Sequence, residues 1–167
     1  MRFALFARCL GVVAATAAMW GLGLPVSQAE PAAEGPYPNN DVIIRSYHPV
    51  RFDDYFTPTA GGVWFTTPLG LNCGIWDRGS FGCSGHIRGA PPGTSNIGWV
   101  NGNLVTRYDW LLGVQFPPGR GARELPLRSY IEYNGTRCVT MADTSTYCSR
   151  GPFKFLVTPT VTWLSPP

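Results

Sequence analysis

Cys73-Gly74-Ile75-Trp76-Asp77-Arg78-Gly79-Ser80-Phe81-Gly82-Cys83 and Cys138-Val139-Thr140-Met141-Ala142-Asp143-Thr144-Ser145-Thr146-Tyr147-Cys148 each begin and end in cysteine, with nine residues between. In the first stretch Asp77-Arg78-Gly79 suits a three-residue turn with Gly79 in the left-handed position. That turn brings Trp76 opposite Ser80 and Cys73 opposite Cys83, so the spacing closes a hairpin across its two strands. The second stretch has Ala142-Asp143-Thr144 in the same place. A β-branched Thr144 resists the left-handed conformation, which predicts a wider or differently formed turn there. Just upstream, Asn134-Gly135 lies between Tyr130-Ile131-Glu132-Tyr133 and Thr136-Arg137-Cys138. An Asn-Gly pair tolerates the positive φ angles of a two-residue hairpin turn, the strongest local signal in the chain.

Cys73, Cys83, Cys138 and Cys148 allow three disulfide connectivities, of which the crossed ones would tie the two halves of the chain together. The recurring spacing favours Cys73 with Cys83 and Cys138 with Cys148, each ring contributing about 3 kcal/mol in the loop-entropy account. Zinc would require closely spaced cysteines and nearby histidines, and redox catalysis a Cys-x-x-Cys pair. Neither pattern is present. Both stretches carry an aromatic residue near the second cysteine and a serine directly after it, which hints at an internal duplication.

Working outward, short apolar runs alternate with Gly, Pro, Asn and Asp at intervals of roughly 8 to 12 residues, a β cadence. Strands are predicted over 62–66, 72–76, 80–84, 96–100, 104–108, 111–116, 129–133, 136–141, 146–149, 154–157 and 160–164. No sustained spacing of three and four apolar residues predicts a long helix. The expected fold is all-β: a small antiparallel sandwich or barrel-like domain with two disulfide-closed hairpins.

The chain has 167 residues. Residues 1–29 have the three parts of a secretory leader: Arg2 and Arg8, an uncharged run centred on Leu10 to Leu24, and the small-residue site Ser27-Gln28-Ala29. An uncleaved membrane anchor is the rival reading. Gly21, Gly23, Pro25 and Gln28 interrupt the run and favour cleavage after Ala29, leaving no stable membrane span. Cys9 lies within this leader, so the remainder keeps an even four cysteines. Residues 30–40 are poor in large apolar side chains and read as a flexible N-terminal segment. Residues 41–167 then form a single β-rich domain, of a size that encloses one core.

Loss of Arg2 and Arg8 leaves 11 basic residues against 10 acidic ones. The arginines are scattered singly, so nucleic acid is not an expected partner.

Phe65-Thr66-Thr67-Pro68-Leu69-Gly70-Leu71-Asn72-Cys73, Phe81-Gly82-Cys83, Thr136-Arg137-Cys138 and Tyr147-Cys148 with Gly151-Pro152-Phe153 together form a pattern. It resembles a family of small exported proteins of mycobacteria and related actinobacteria. Their pattern runs roughly Ser-Pro-Ser-Gly-Asn-Ile-x-Cys, a second cysteine, a central Trp, and a C-terminal cysteine pair followed by Gly-Phe. The resemblance spans about residues 62–164, and departs from the pattern where Leu69 and Leu71-Asn72 replace the usual Ser and Asn-Ile. It implies export and a disulfide-bonded β-fold, and it transfers no catalytic residues.

Only His48 and His86 are of the residue type that serves as a base near neutral pH. His86 follows Cys83-Ser84-Gly85 and is the residue around which an extracellular hydrolase would be built, with a serine and one of Asp53, Asp54, Asp77 or Asp109. No Gly-x-Ser-x-Gly elbow supports that reading. Asp53-Asp54 lacks the further spaced oxygen ligands of a calcium loop. No metal or cofactor is expected. Rigid aromatic rings point to a different class, a surface that stacks on a ligand. Trp76 and Tyr133 flank hairpin tips and are the candidate ligand-binding residues.

The expected function is a non-enzymatic binding or structural module, secreted or held in the cell envelope, with an envelope or extracellular ligand; the alternative is the hydrolase using His86. Sequencing the N-terminus of protein recovered from the culture medium should return Glu30; an intact leader would restore the membrane-anchored reading.

Overall fold

In the computed structural model, residues 40–100 and 120–165 are described; the leader, the adjoining segment up to residue 39 and the strands predicted over 104–108 and 111–116 lie outside them. A short helix, α1 (Asn40–Ile44), is followed by eleven strands: β1 (His48–Pro49), β2 (Phe56–Thr57), β3 (Gly62–Thr66), β4 (Asn72–Trp76), β5 (Ser80–Ser84), β6 (Asn96–Trp99), β7 (Ser129–Tyr133), β8 (Thr136–Thr140), β9 (Thr146–Arg150), β10 (Phe153–Val157) and β11 (Thr162–Ser165). Short 3-10 turns at Phe52–Tyr55 and Pro58–Ala60 flank β2.

One sheet has the order β2-β3-β4-β5-β6 and the other β1-β7-β8-β9-β10-β11. Every strand pair is antiparallel except β1 with β7. The sequence reading of an all-β antiparallel sandwich therefore holds. The apolar run Val42-Ile43-Ile44 is helical, its buried Ile44 packing on the outer face of the larger sheet with Val139, Met141, Tyr147 and Leu156.

Residue alternation sends one row of each sheet into a shared core. In the smaller sheet Phe65, Cys73, Cys83 and Ile97 lie side by side across four strands. In the larger, Ile131, Cys138, Cys148, Phe155 and Leu164 do the same across five. All of them belong to one buried cluster. The disulfides Cys73–Cys83 and Cys138–Cys148 join directly opposed residues, with Cα atoms 4.0 and 4.1 Å apart. Phe81 of one sheet stacks on Phe155 of the other at 5.7 Å between ring centroids.

The outer face of the smaller sheet carries Trp64, Gly74, Gly82 and Gly98 in one cross-strand row. The Trp64 ring lies over Gly74, where a Cβ would collide with it.

The second disulfide loop corrects the sequence reading. Thr144 adopts φ +72°, and its N–H donates to the Met141 carbonyl at 3.1 Å. The equivalent bond in the first loop runs from Gly79 N–H to the Trp76 carbonyl, also 3.1 Å. Both hairpins thus close over three residues, so the wider turn is not formed, while the two loops differ in that Asp77 also has a positive φ, +46°, and Ala142 does not. Met141 N–H to the Ser145 carbonyl at 2.8 Å and Ser145 N–H to Asp143 Oδ1 at 3.1 Å hold Thr144 in place. The opposed cysteines fix the register, and the loop accepts local strain to meet it.

Three stability outcomes are expected from denaturant unfolding. Cys73→Ala/Cys83→Ala should lose about 3 kcal/mol or more, since it removes the cross-link and leaves core volume unfilled. Thr144→Asn should gain about 1 kcal/mol by easing the left-handed position. Gly79→Ala should lose about 2 kcal/mol, because Gly79 has φ +95° and a Cβ would sit 2.5 Å from the Asn134 carbonyl oxygen. A Thr144→Asn protein less stable than its parent would contradict the turn assignment.

Candidate functional site

The Asn134-Gly135 turn is a two-residue hairpin loop with φ +47° and +75°, and it pairs Tyr133 with Thr136 and Glu132 with Arg137. At this tip the two sheets are tied together. Thr136 Oγ1 donates to the Gly79 carbonyl at 2.7 Å in a buried bond, and Asn134 Nδ2 donates to the Asp77 carbonyl. The tip of the first disulfide hairpin is therefore clamped against the tip of the β7–β8 hairpin.

Against this clamp the chain crosses from β1 to β2 through Phe52-Asp53-Asp54-Tyr55-Phe56. Tyr55 is the anchor: it is buried in the main core and its hydroxyl donates to the Glu124 carbonyl at 3.2 Å. The Arg123 guanidinium lies over its ring at 5.6 Å. With Tyr55 turned inward, Phe52 and Phe56 remain 41% and 40% exposed. Both face Tyr133, with ring centroids 5.4 and 6.1 Å from it. Three rings from two distant segments of the sequence thus form one surface cluster.

Tyr133 also belongs to a shallow concavity of about 380 Å³, lined by Glu132, Asn134, Gly135, Thr136, Arg137 and Ser149 as well. Glu132 and Arg137 form an ion pair across the hairpin, and Arg137 rests over the Tyr130 ring at 5.0 Å. The concavity offers an acid, a guanidinium, an amide and hydroxyls; strand alternation puts the Tyr133 ring on the core side of the sheet and Glu132, Arg137 and Ser149 on its opposite face. Such an arrangement can bind a polar ligand.

Of the two candidate residues from sequence, Tyr133 sits in this cluster and Trp76 does not. Trp76 is only 6% exposed. Strand alternation puts it on the outer face beside Gly74, where it stacks with Trp64 at 5.5 Å and 11° between planes, with Ala60 and Val100 against the pair. A turn-flanking position left its ring exposed in the sequence reading; the bare row of glycines makes room for the stack that buries it. Phe52 and Phe56 were missed. Their signal was the aromatic density of a five-residue segment outside the strand cadence, read only for its two acids.

The cysteines form the two expected disulfides, a mark of an oxidising, extracytoplasmic setting. His86 is exposed, and among the described residues no hydroxyl or carboxylate is hydrogen-bonded to it. Asp53 pairs with Arg51 at 3.1 Å and Asp54 with Arg123 at 3.9 Å, all four at the surface. Among the described residues no three His, Cys, Asp or Glu side chains gather as a cation site requires. No helix among them is long and apolar enough to cross a membrane.

No family model, curated protein or solved structure matches the chain.

Burial pushes the Tyr55 and Tyr147 hydroxyls above their ordinary value of 10.0. Arg123 partly offsets this at Tyr55, and hydrogen bonds to Ser149 and Asn40 do so at Tyr147. Above pH 10.0 the unfolded chain loses these protons first. Their contribution to stability is complete below that pH and is lost as pH rises through the folded values. Stability followed by denaturant midpoint should fall as pH climbs past about 10, and Tyr147→Phe should fall less steeply. An equal slope in the variant would remove Tyr147 from this account.

Proposed function

We propose that this chain is an exported, non-enzymatic binding module of the cell envelope or extracellular space, akin to the small disulfide-bonded proteins of mycobacteria and related actinobacteria. The leader-like residues 1–29 and the two buried disulfides support export. One observation carries the binding reading: Phe52, Phe56 and Tyr133 converge at the surface, on a tip held rigid by bonds between two hairpins. Two phenylalanines about two-fifths exposed side by side leave apolar area in water that a partner would cover. Rigid placement also spares a ligand the entropy of ordering its site.

The test is cosedimentation of the protein recovered from the medium with isolated, protein-stripped actinobacterial cell envelope. Phe52→Ala/Phe56→Ala should reduce the bound fraction about tenfold, in keeping with the loss of a central aromatic anchor. Equal retention of parent and variant, or no retention of the parent, would contradict an envelope-binding role for this surface.

A further inference from the structure

We propose that Asn134-Gly135 is a deamidation site held latent by the clamp between the two hairpin tips, so that opening the clamp lets it react and keeps the tip from closing again. The reacting groups are neighbours in sequence: the side-chain amide carbon of Asn134 and the backbone nitrogen of Gly135, which has no side chain to shield it. Both residues are exposed, and a Cβ on Gly135 would meet nothing within 4 Å. Among the described residues no acceptor is hydrogen-bonded to the Gly135 N–H.

The reaction is an internal acyl transfer followed by hydrolysis. The Gly135 nitrogen attacks Asn134 Cγ and a new N–Cγ bond forms. The Cγ–Nδ2 bond breaks, and Nδ2 departs as ammonia with the proton that the Gly135 nitrogen gives up. Water then opens the cyclic imide, its hydroxyl going to a carbonyl carbon and its proton to the nitrogen. Cleavage of the N–Cγ bond leaves an aspartate at position 134. Cleavage at the backbone carbonyl carbon leaves an isoaspartate, whose main chain runs through the former side chain.

The fold withholds the geometry this attack needs. Asn134 would have to fold its side chain toward its own C-terminal peptide, and instead Nδ2 donates to the Asp77 carbonyl on a hairpin of the other sheet. Thr136 Oγ1, bonded to the Gly79 carbonyl at 2.7 Å, holds the same two tips together. The turn is further fixed by the Tyr133–Thr136 pair that closes it, with φ +47° at Asn134 and +75° at Gly135. Reaction therefore passes through a local opening of the tip, and its rate follows the fraction of molecules that are open.

The product cannot rebuild the clamp. A carboxylate at position 134 has no proton to donate near neutral pH, and would meet the Asp77 carbonyl oxygen as a second acceptor. An isoaspartate also lengthens the main chain of a two-residue loop, and loop length sets the register of the Tyr133–Thr136 pair. Tyr133, the ring that meets Phe52 and Phe56, is the adjoining residue. The step thus governs whether the aromatic surface keeps its support.

The test follows the tryptic peptide from Ser129 to Arg137, which contains Asn134 and no cysteine, by chromatography and mass spectrometry. Mature protein is incubated in mildly alkaline buffer, either native or unfolded in denaturant with its disulfides reduced. The unfolded protein should deamidate at position 134 at least about tenfold faster than the native protein. In native protein Thr136→Val, which removes one donor of the clamp and keeps the side-chain shape, should raise the rate about fivefold. Asn134→Asp supplies the product directly in a turn that Asp-Gly also forms. It should raise the unfolding equilibrium constant about fivefold and shift the amides of Asp77, Arg78 and Gly79.

Equal rates in native and unfolded protein overturn the latency, and conversion in neither overturns the site. A Thr136→Val rate equal to that of the parent detaches the clamp from the reaction. If that variant does not fold, the native and unfolded rates of the parent still decide. An Asn134→Asp protein as stable as its parent, with those amides unmoved, would show that the product closes the clamp again and would contradict the one-way step.

Discussion

Two disulfides inside the core, each joining residues directly opposite one another, set the geometry on which the rest of this structure depends. Because side chains alternate along a strand, a slip of one residue in either hairpin would turn its cysteine from the core to the outer face. The covalent bond forbids that slip. The rows Phe65, Cys73, Cys83, Ile97 and Ile131, Cys138, Cys148, Phe155, Leu164 are thereby held in register, and the apolar faces they belong to meet in one core. Hydrophobic burial supplies the drive for the sheets to pack; the cross-links decide which residues are buried.

The consequence reaches the surface through the hairpin tips. Fixed register places loop 77–79 where its carbonyls meet the Asn134 amide and the Thr136 hydroxyl. Gly79 allows that approach by lacking a Cβ. The clamped tip holds Tyr133, and Tyr55 tethers the crossing segment that brings Phe52 and Phe56 to it. An exposed aromatic cluster on a small β-domain would otherwise be free to collapse or sample many rotamers. Here each ring is positioned by buried structure beneath it.

Much of the fold was legible because its signals are local. Asn134-Gly135 specified a turn by backbone chemistry, and the paired cysteines specified hairpins by spacing. Where the signal was local but opposed by tertiary structure, the reading failed: Thr144 resists a positive φ, yet the bridge between Cys138 and Cys148 and the bonds around Ser145 impose it. Trp76 failed for the converse reason. Its burial depends on Trp64, Gly74 and their cross-strand neighbours, which turn chemistry does not report. One of the three rings of the candidate site was visible, since Tyr133 flanks an identifiable tip. Phe52 and Phe56 were not, because their meeting with Tyr133 joins segments far apart in the chain, through a crossing that has no hairpin signature.

The central claim is that the bridges are local to each hairpin, and non-reducing tryptic mapping tests it most directly. Cleavage after Arg78 separates Cys73 from Cys83, while Cys138 and Cys148 share the peptide running from Cys138 to Arg150. Local pairing predicts two products: the Cys73 and Cys83 peptides joined to each other, and the peptide from Cys138 to Arg150 alone, with an internal bridge. Any covalent link between that peptide and the Cys73 or Cys83 peptides would show crossed bridges, and would contradict the register on which the core, the clamped tip and the aromatic surface all depend.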